Sequence, residues 1–186
     1  MPDTEEAADP TLAELYRQIA DGAGYVSNLM AVIAHAPDGL RAYAALDRHC
    51  RHGLDLTPLQ RELAILVALR GVHYGWNHRV PIARALGIPE DQALMIHEGR
   101  APRELPDAER ALCDFAFEVA ACRRVPPRVE EAVMLHFTPR QIVDIAMLTS
   151  FYMASAALII ALDVQLESPD TLQLELRFET RLAGAA

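Results

Sequence analysis

The sequence predicts an all-α protein, a single-domain helical bundle, on three observations. Apolar residues recur at helical spacing through most of its 186 residues, and alternation is confined to the last few. Strong helix starts recur: Thr57-Pro58-Leu59-Gln60 and Thr138-Pro139-Arg140-Gln141 each combine an N-cap threonine, a proline at the first helical position and a glutamine able to reach back as a capping box. Length and a hydrophobic content of 52% suit one domain with a sizeable core or an oligomer interface.

In chain order, residues 1–10 are expected to be a disordered acidic leader. The helical domain spans 11–168, and residues 169–186 form an extended tail or oligomer arm. A first helix runs from Pro10 to about Ala20. A glycine-containing turn follows, and Asn28 is placed to cap the next helix. The segment from Pro37 reads as a helix stopped by Gly53. The helix after Thr57 is apolar on every face from Leu63 to Leu69 and so should be buried all round. Its pattern continues to Gly87, with Gly71 or Gly75 able to bend it. Further helices are expected after Pro89, after Pro106 and after Pro126. The second capping box opens another all-round apolar helix, and the repeat of boxed, buried helices with one early acid each, Glu62 and Asp144, reads as a weak internal duplication of helical halves.

That last helix needs a membrane check. Ile145 to Leu162 carries no charge over 18 residues. Asp144 and Asp163 flank it where a span would have basic residues, and Thr149, Ser150, Tyr152 and Ser155 interrupt it, so a buried helix of a protein without a membrane partner is expected. In the tail, Leu172, Leu174, Leu176 and Phe178 alternate with polar residues as in a half-buried strand. An arm reaching a neighbouring subunit, a disordered tail and a last helical turn all fit.

Composition removes several functions. A formal net charge of -9 disfavours nucleic acid and anionic membranes. All 17 basic residues are arginine, which excludes Schiff-base and lysine-anchored pyridoxal phosphate chemistry and the phosphate-binding lysine of a P-loop. Cys50, Cys113 and Cys122 are dispersed, without a CxxC, so a reducing, cytoplasmic compartment is expected. The first residues show no basic-then-apolar signal pattern.

Candidate chemistry gathers in two places. Glu62 sits one turn into an otherwise apolar helix, where a carboxylate must find a partner or shift its pKa upward; first-turn solvation is the quiet alternative. The stretch "GVHYGWNHRVPIARALG" holds His73, Tyr74, the chain's single tryptophan Trp76, His78 and Arg79. Histidine can relay a proton, arginine offers a fork to a carboxylate, and the aromatics supply a wall with a hydrogen-bonding edge. Together they suit a small anionic substrate, or else form the packed end of a helix. No metal site is expected. His49 and His52 lie among Arg48 and Arg51, and His73 and His78 miss the same-face spacings of three or four. His35, His97 and His136 read as structural or surface residues.

The run "TPLQRELAILVALRGVHYGWNHRVPIARALGIPEDQ" resembles the carboxymuconolactone decarboxylase family, which shares its fold with the alkyl hydroperoxidase D-like proteins. Arg61, Glu62, Leu63, Tyr74, Trp76 and the Val80–Gly87 segment match the family pattern, and similar segments extend over roughly residues 24–166. The family's histidine falls on Arg79, with His78 one place earlier, and the acid of its tyrosine-glutamate-tryptophan motif is Gly75. The peroxidase branch needs two cysteines that fall near Val72 and Gly75 here, so thiol peroxidase activity is disfavoured. The resemblance implies a trimer or hexamer. It also implies a cofactor-independent, decarboxylase-type acid–base enzyme for a small anionic or enolisable substrate, in a biosynthetic pathway among other settings. Glu62, His78 and Tyr74 would be catalytic and Arg79, Trp76 and His73 substrate-binding, with no metal and no organic cofactor. A non-catalytic oligomeric binding protein is the alternative.

Overall fold

The computed structural model describes residues 10–184, and ten helices are assigned among them. They are α1 (Pro10–Ala23), α2 (Asn28–Ile33), α3 (Pro37–His52), α4 (Pro58–Leu69), α5 (His73–Ala85), α6 (Glu90–His97), α7 (Asp107–Ala120), α8 (Pro127–His136), α9 (Pro139–Ala161) and α10 (Pro169–Gly184). No strand occurs among the described residues, as the sequence predicts. The expected acidic leader lies almost wholly outside them.

Both capping boxes form. Thr57 Oγ1 accepts from the Gln60 amide at 3.2 Å while Gln60 accepts from the Thr57 amide at 3.1 Å. Thr138 and Gln141 repeat the exchange. The two helices so started make the centre of the bundle. Every residue of α4 from Glu62 to Leu69 is buried, and α9, α7 and α5 pack around it. α9 is long and apolar enough to cross a membrane, yet half of its apolar stretch is buried inside the bundle. Its Asp144 is spent on structure: Oδ2 accepts the Asp55 amide at 2.9 Å. A smaller apolar cluster joins α1, α2 and α3 through residues such as Tyr16, Ile19, Met30 and Leu40.

Three local expectations are corrected. Ser27, not Asn28, caps α2: its Oγ accepts from the Met30 amide, and Asn28 is the first helical residue. The helix after Thr57 does not run through to Gly87. Arg70 leaves helical geometry and Gly71 adopts a φ of +77, a value that favours glycine, so α4 and α5 are separate helices with their own directions. The tail is neither strand nor extended arm. Ser168 caps it by accepting from the Thr171 amide at 3.2 Å, Pro169 takes the first helical position, and α10 folds back mainly onto α5.

Candidate active site

α5 sets the site. Tyr74, Gly75, His78, Arg79 and Ile82 share its inward face at helical spacing and are all buried. α4 presents Glu62 to that face. Glu62 and Arg79 form a fork-to-fork pair: Arg79 Nε donates to Oε1 at 3.0 Å, and Nη2 donates to Oε2 in a shorter contact. Burial is the largest influence on Glu62 and pushes its carboxyl above its ordinary range, with Arg79 opposing it. Burial is also the largest influence on Arg79 and works against its charge, but Glu62, Tyr152, Glu179 and Glu175 together outweigh it and keep the guanidinium charged.

His78 lies between two carboxylates. Its Nε2 is 2.7 Å from Glu167 Oε2, and its Nδ1 contacts Glu175 Oε2. Glu167 already accepts from Tyr74 Oη at 2.5 Å and from the Asn28 amide at 2.7 Å. Those donors and His78 hold it below the usual carboxylate range in spite of burial. A carboxylate at each ring nitrogen favours a ring that donates from both, an imidazolium. Burial disfavours that charge, yet the hydrogen bonds and charges of Glu167 and Glu175 prevail and push His78 up to about 9. Tyr74 stacks on the ring with centroids 4.5 Å apart, and the Tyr25 hydroxyl stands 3.5 Å from Nδ1.

The charges continue outward. Arg79 Nη1 is 3.7 Å from Glu175 Oε1 and 3.7 Å from Glu179 Oε1. Glu179 also pairs with Arg51, whose Nε is 2.9 Å from Asp47 Oδ2. Tyr152 is half-buried near both arginines, and desolvation raises its phenol. Tyr43 Oη and Ser155 Oγ are 2.6 Å apart; the serine proton goes to the Phe151 carbonyl at 2.9 Å, so Tyr43 is the donor. All of these side chains except Glu179 line a cavity of about 70 Å³, walled also by Leu29, Met30 and Ile159. At about 30 Å³ per water it holds roughly two waters.

Of the expected site residues, the structure brings Glu62, Tyr74, His78 and Arg79 together. It leaves Trp76 and His73 outside. Two residues from Tyr74 and His78, Trp76 falls on another helix face, half-buried, with its ring 4.8 Å from that of His97. His73, at the start of α5, is exposed. Sequence reasoning missed Tyr25, Arg51, Tyr152, Glu167, Glu175 and Glu179. For the last two, the Ser168-Pro169 helix start and the four-residue spacing of the acids were the available signal.

The two buried cysteines, Cys50 and Cys113, are unsuited to thiolate chemistry. Burial pushes Cys50 up to about 12 and raises Cys113 further. At Gly75, near which the resemblance set one cysteine of the peroxidase branch, an added Cβ would stand 2.7 Å from Leu69 Cδ1, so the space a side chain needs is already filled.

The fold places the chain among the all-helical alkylhydroperoxidase AhpD-like folds. A peroxidase-related protein from Silicibacter sp. TM1040 superposes with a TM-score of 0.74 at 19% identity, covering 90% of each chain. The debrominase Bmp8 gives a TM-score of 0.70 at 18% identity over 96% of this chain and 95% of its own. An AhpD-core peroxidase-related protein from Ralstonia eutropha JMP134 gives 0.70 at 24% identity over 95% and 94%. A cysteine-to-alanine variant of the debrominase has been solved with 2,3,4-tribromopyrrole bound. No protein-family model matches the sequence, and no curated protein matches it significantly.

Proposed function

We propose that this protein is an acid–base enzyme for a small anionic or enolisable organic substrate, catalysing decarboxylation or a related lyase or isomerase step without thiol chemistry or cofactor. The observation that carries the reading is the buried ring of His78, set between the Glu167 and Glu175 carboxylates and beside Arg79 at the wall of one cavity, which favours its protonated form. A ring that holds its proton at neutral pH can serve as a general acid. In a decarboxylation the bond to the carboxylate carbon breaks, carbon dioxide leaves, and the electron pair enters a conjugated enolate. Arg79, fixed by Glu62, stabilises the enolate oxygen. His78 protonates carbon and regains its proton from water, and Tyr74 steers the ring by stacking and by holding Glu167. Glu62 is then the orienter of Arg79 and not the base.

Two features support the reading: a solved protein of this fold is a debrominase, and the buried thiols of Cys50 and Cys113 are suppressed. The test is carbon dioxide release and solvent-deuterium incorporation on a panel of β-oxo acids and carboxylated unsaturated lactones. Turnover above buffer that disappears in His78→Gln, with helical circular dichroism intact, is expected. Equal rates with and without His78 would contradict it.

A second reading, a binding protein without turnover, is favoured by one observation: internal carboxylates occupy both sides of His78. It predicts a ligand recovered unchanged. For assembly we propose a homo-oligomer, trimer or hexamer, supported by the exposed apolar side chains Leu46, Val143 and Met147 around α3 and α9. Light scattering at the monomer mass would contradict it.

A further inference from the structure

α10 is attached to the bundle in an unusual way. Among its described side chains only Glu175 is buried, at 3% exposure, while Leu172, Leu176 and Phe178 are half-buried and Leu174 is exposed. None of its described side chains joins either apolar cluster. Charge holds it instead: Glu175 on His78 and Arg79, Glu179 on Arg51 and Arg79. An element with few buried apolar contacts opens locally far more readily than one built into the core.

The chain just before α10 is tied down separately. The Asn28 amide donates to Glu167 at 2.7 Å, and Asn28 Nδ2 donates to the Gln165 carbonyl at 2.9 Å. α10 can therefore leave while Glu167 stays on His78. Glu62 likewise stays on Arg79. The two cations remain aimed at the place Glu175 vacates.

That place has the form of a carboxylate seat. One oxygen of Glu175 meets His78 Nδ1 and the other faces Arg79 Nη1 at 3.7 Å, so a planar two-oxygen anion bridges imidazolium and guanidinium. Beside it the walls combine apolar and phenolic side chains, among them Leu29, Met30, Ile159 and Tyr43, with the Arg51–Asp47 pair and Ser155 on the α3 and α9 side. With Glu175 in place the free space, about 70 Å³, is well below the roughly 300 Å³ at which organic ligand pockets begin.

We propose that α10 is a displaceable plug: Glu175 is the internal occupant of a carboxylate seat built by His78 and Arg79, and an external carboxylate on an apolar body takes that seat when α10 lifts. This deepens the acid–base reading and rests on it for the chemistry after binding, not for binding itself.

Benzoate is the probe, measured against the full-length wild type, Glu175→Ala, Glu175→Gln and the exposed control Gln173→Ala. In the wild type benzoate competes with a tethered carboxylate at an effective concentration of about millimolar or more, so Glu175→Ala should bind it at least about tenfold more tightly and Gln173→Ala no differently. Saturating the wild type should speed amide hydrogen exchange in α10 by at least about tenfold while α4 and α5 stay protected. Methyl benzoate should do neither. If Glu175→Ala fails to fold, the near-isosteric Glu175→Gln reports the same direction. Equal benzoate affinity with and without Glu175, no binding to any form, or a bound wild type with α10 still protected would each overturn the plug. Turnover does not enter. Benzoate binding with α10 released and no deuterium exchange on any substrate keeps the plug and removes the enzyme; turnover with α10 protected throughout does the reverse.

Discussion

Removing Arg79 tests the buried pair most sharply. Glu62 is 2% exposed and Arg79 5%, and both arms of the carboxylate are satisfied by the one guanidinium. Arg79→Met keeps much of the side-chain volume and deletes both bonds, leaving Glu62 as an uncompensated buried acid. Breaking such a pair from one side costs about 3–5 kcal/mol. That is a large share of the roughly 5–15 kcal/mol that holds a domain folded. Glu62→Gln is the milder change, because Arg79 keeps Glu175 and Glu179 at 3.7 Å each. It should cost about 1–3 kcal/mol. The double variant should cost less than the two singles together by about 2 kcal/mol, since neither group is then left alone. Urea unfolding at pH 7, followed by far-ultraviolet circular dichroism with the m-value checked for constancy, measures all four corners. Singles that each cost under about 1 kcal/mol and add simply would refute the reasoning: Glu62 would then be free enough to act as a base, and Arg79 would need another explanation for its position.

Stability should depend on pH through His78. Its folded pKa of about 9 lies above its ordinary 6.5, so its contribution is fully present below 6.5 and is lost as pH rises through about 9. The contribution is roughly 3 kcal/mol, and His78→Gln should flatten the profile over that window. Gly75→Ala should destabilise by about 1–3 kcal/mol in thermal or urea unfolding, because its Cβ would press on Leu69 at 2.7 Å to Cδ1 and 3.0 Å to Cβ. Thr57→Ala and Thr138→Ala should each cost about 1 kcal/mol, as both remove a formed capping box; no loss in either would show those caps idle.

The fold was legible where local chemistry decides it. Thr57 and Thr138 announce their helices through contacts within three residues, and Leu63–Leu69 announces burial by being apolar all round. Half of the site was legible for the same reason: Glu62, Tyr74, His78 and Arg79 lie on two consecutive helices. The other half was hidden by a reversal of the usual rule. Hydrophobic periodicity locates the inward face of a helix only when that face is apolar. In α10 the inward positions are Glu175 and Glu179, paired with cations on α5 and α3, and the leucines left at the edges alternate as they would in a strand. The placement of Trp76 failed differently. Its neighbourhood in sequence with His78 suggested a shared pocket, but helical geometry turns it toward His97.

The account stands on the charge of His78, and side-chain nitrogen NMR on the histidine-labelled protein reads it directly. The prediction is a ring protonated at both nitrogens at pH 7 that titrates near 9. In Glu175→Gln the titration should move downward as one carboxylate is lost. A ring neutral at pH 7 that titrates at or below its ordinary 6.5 would contradict the account, because His78 could then be neither the proton donor nor half of a carboxylate seat.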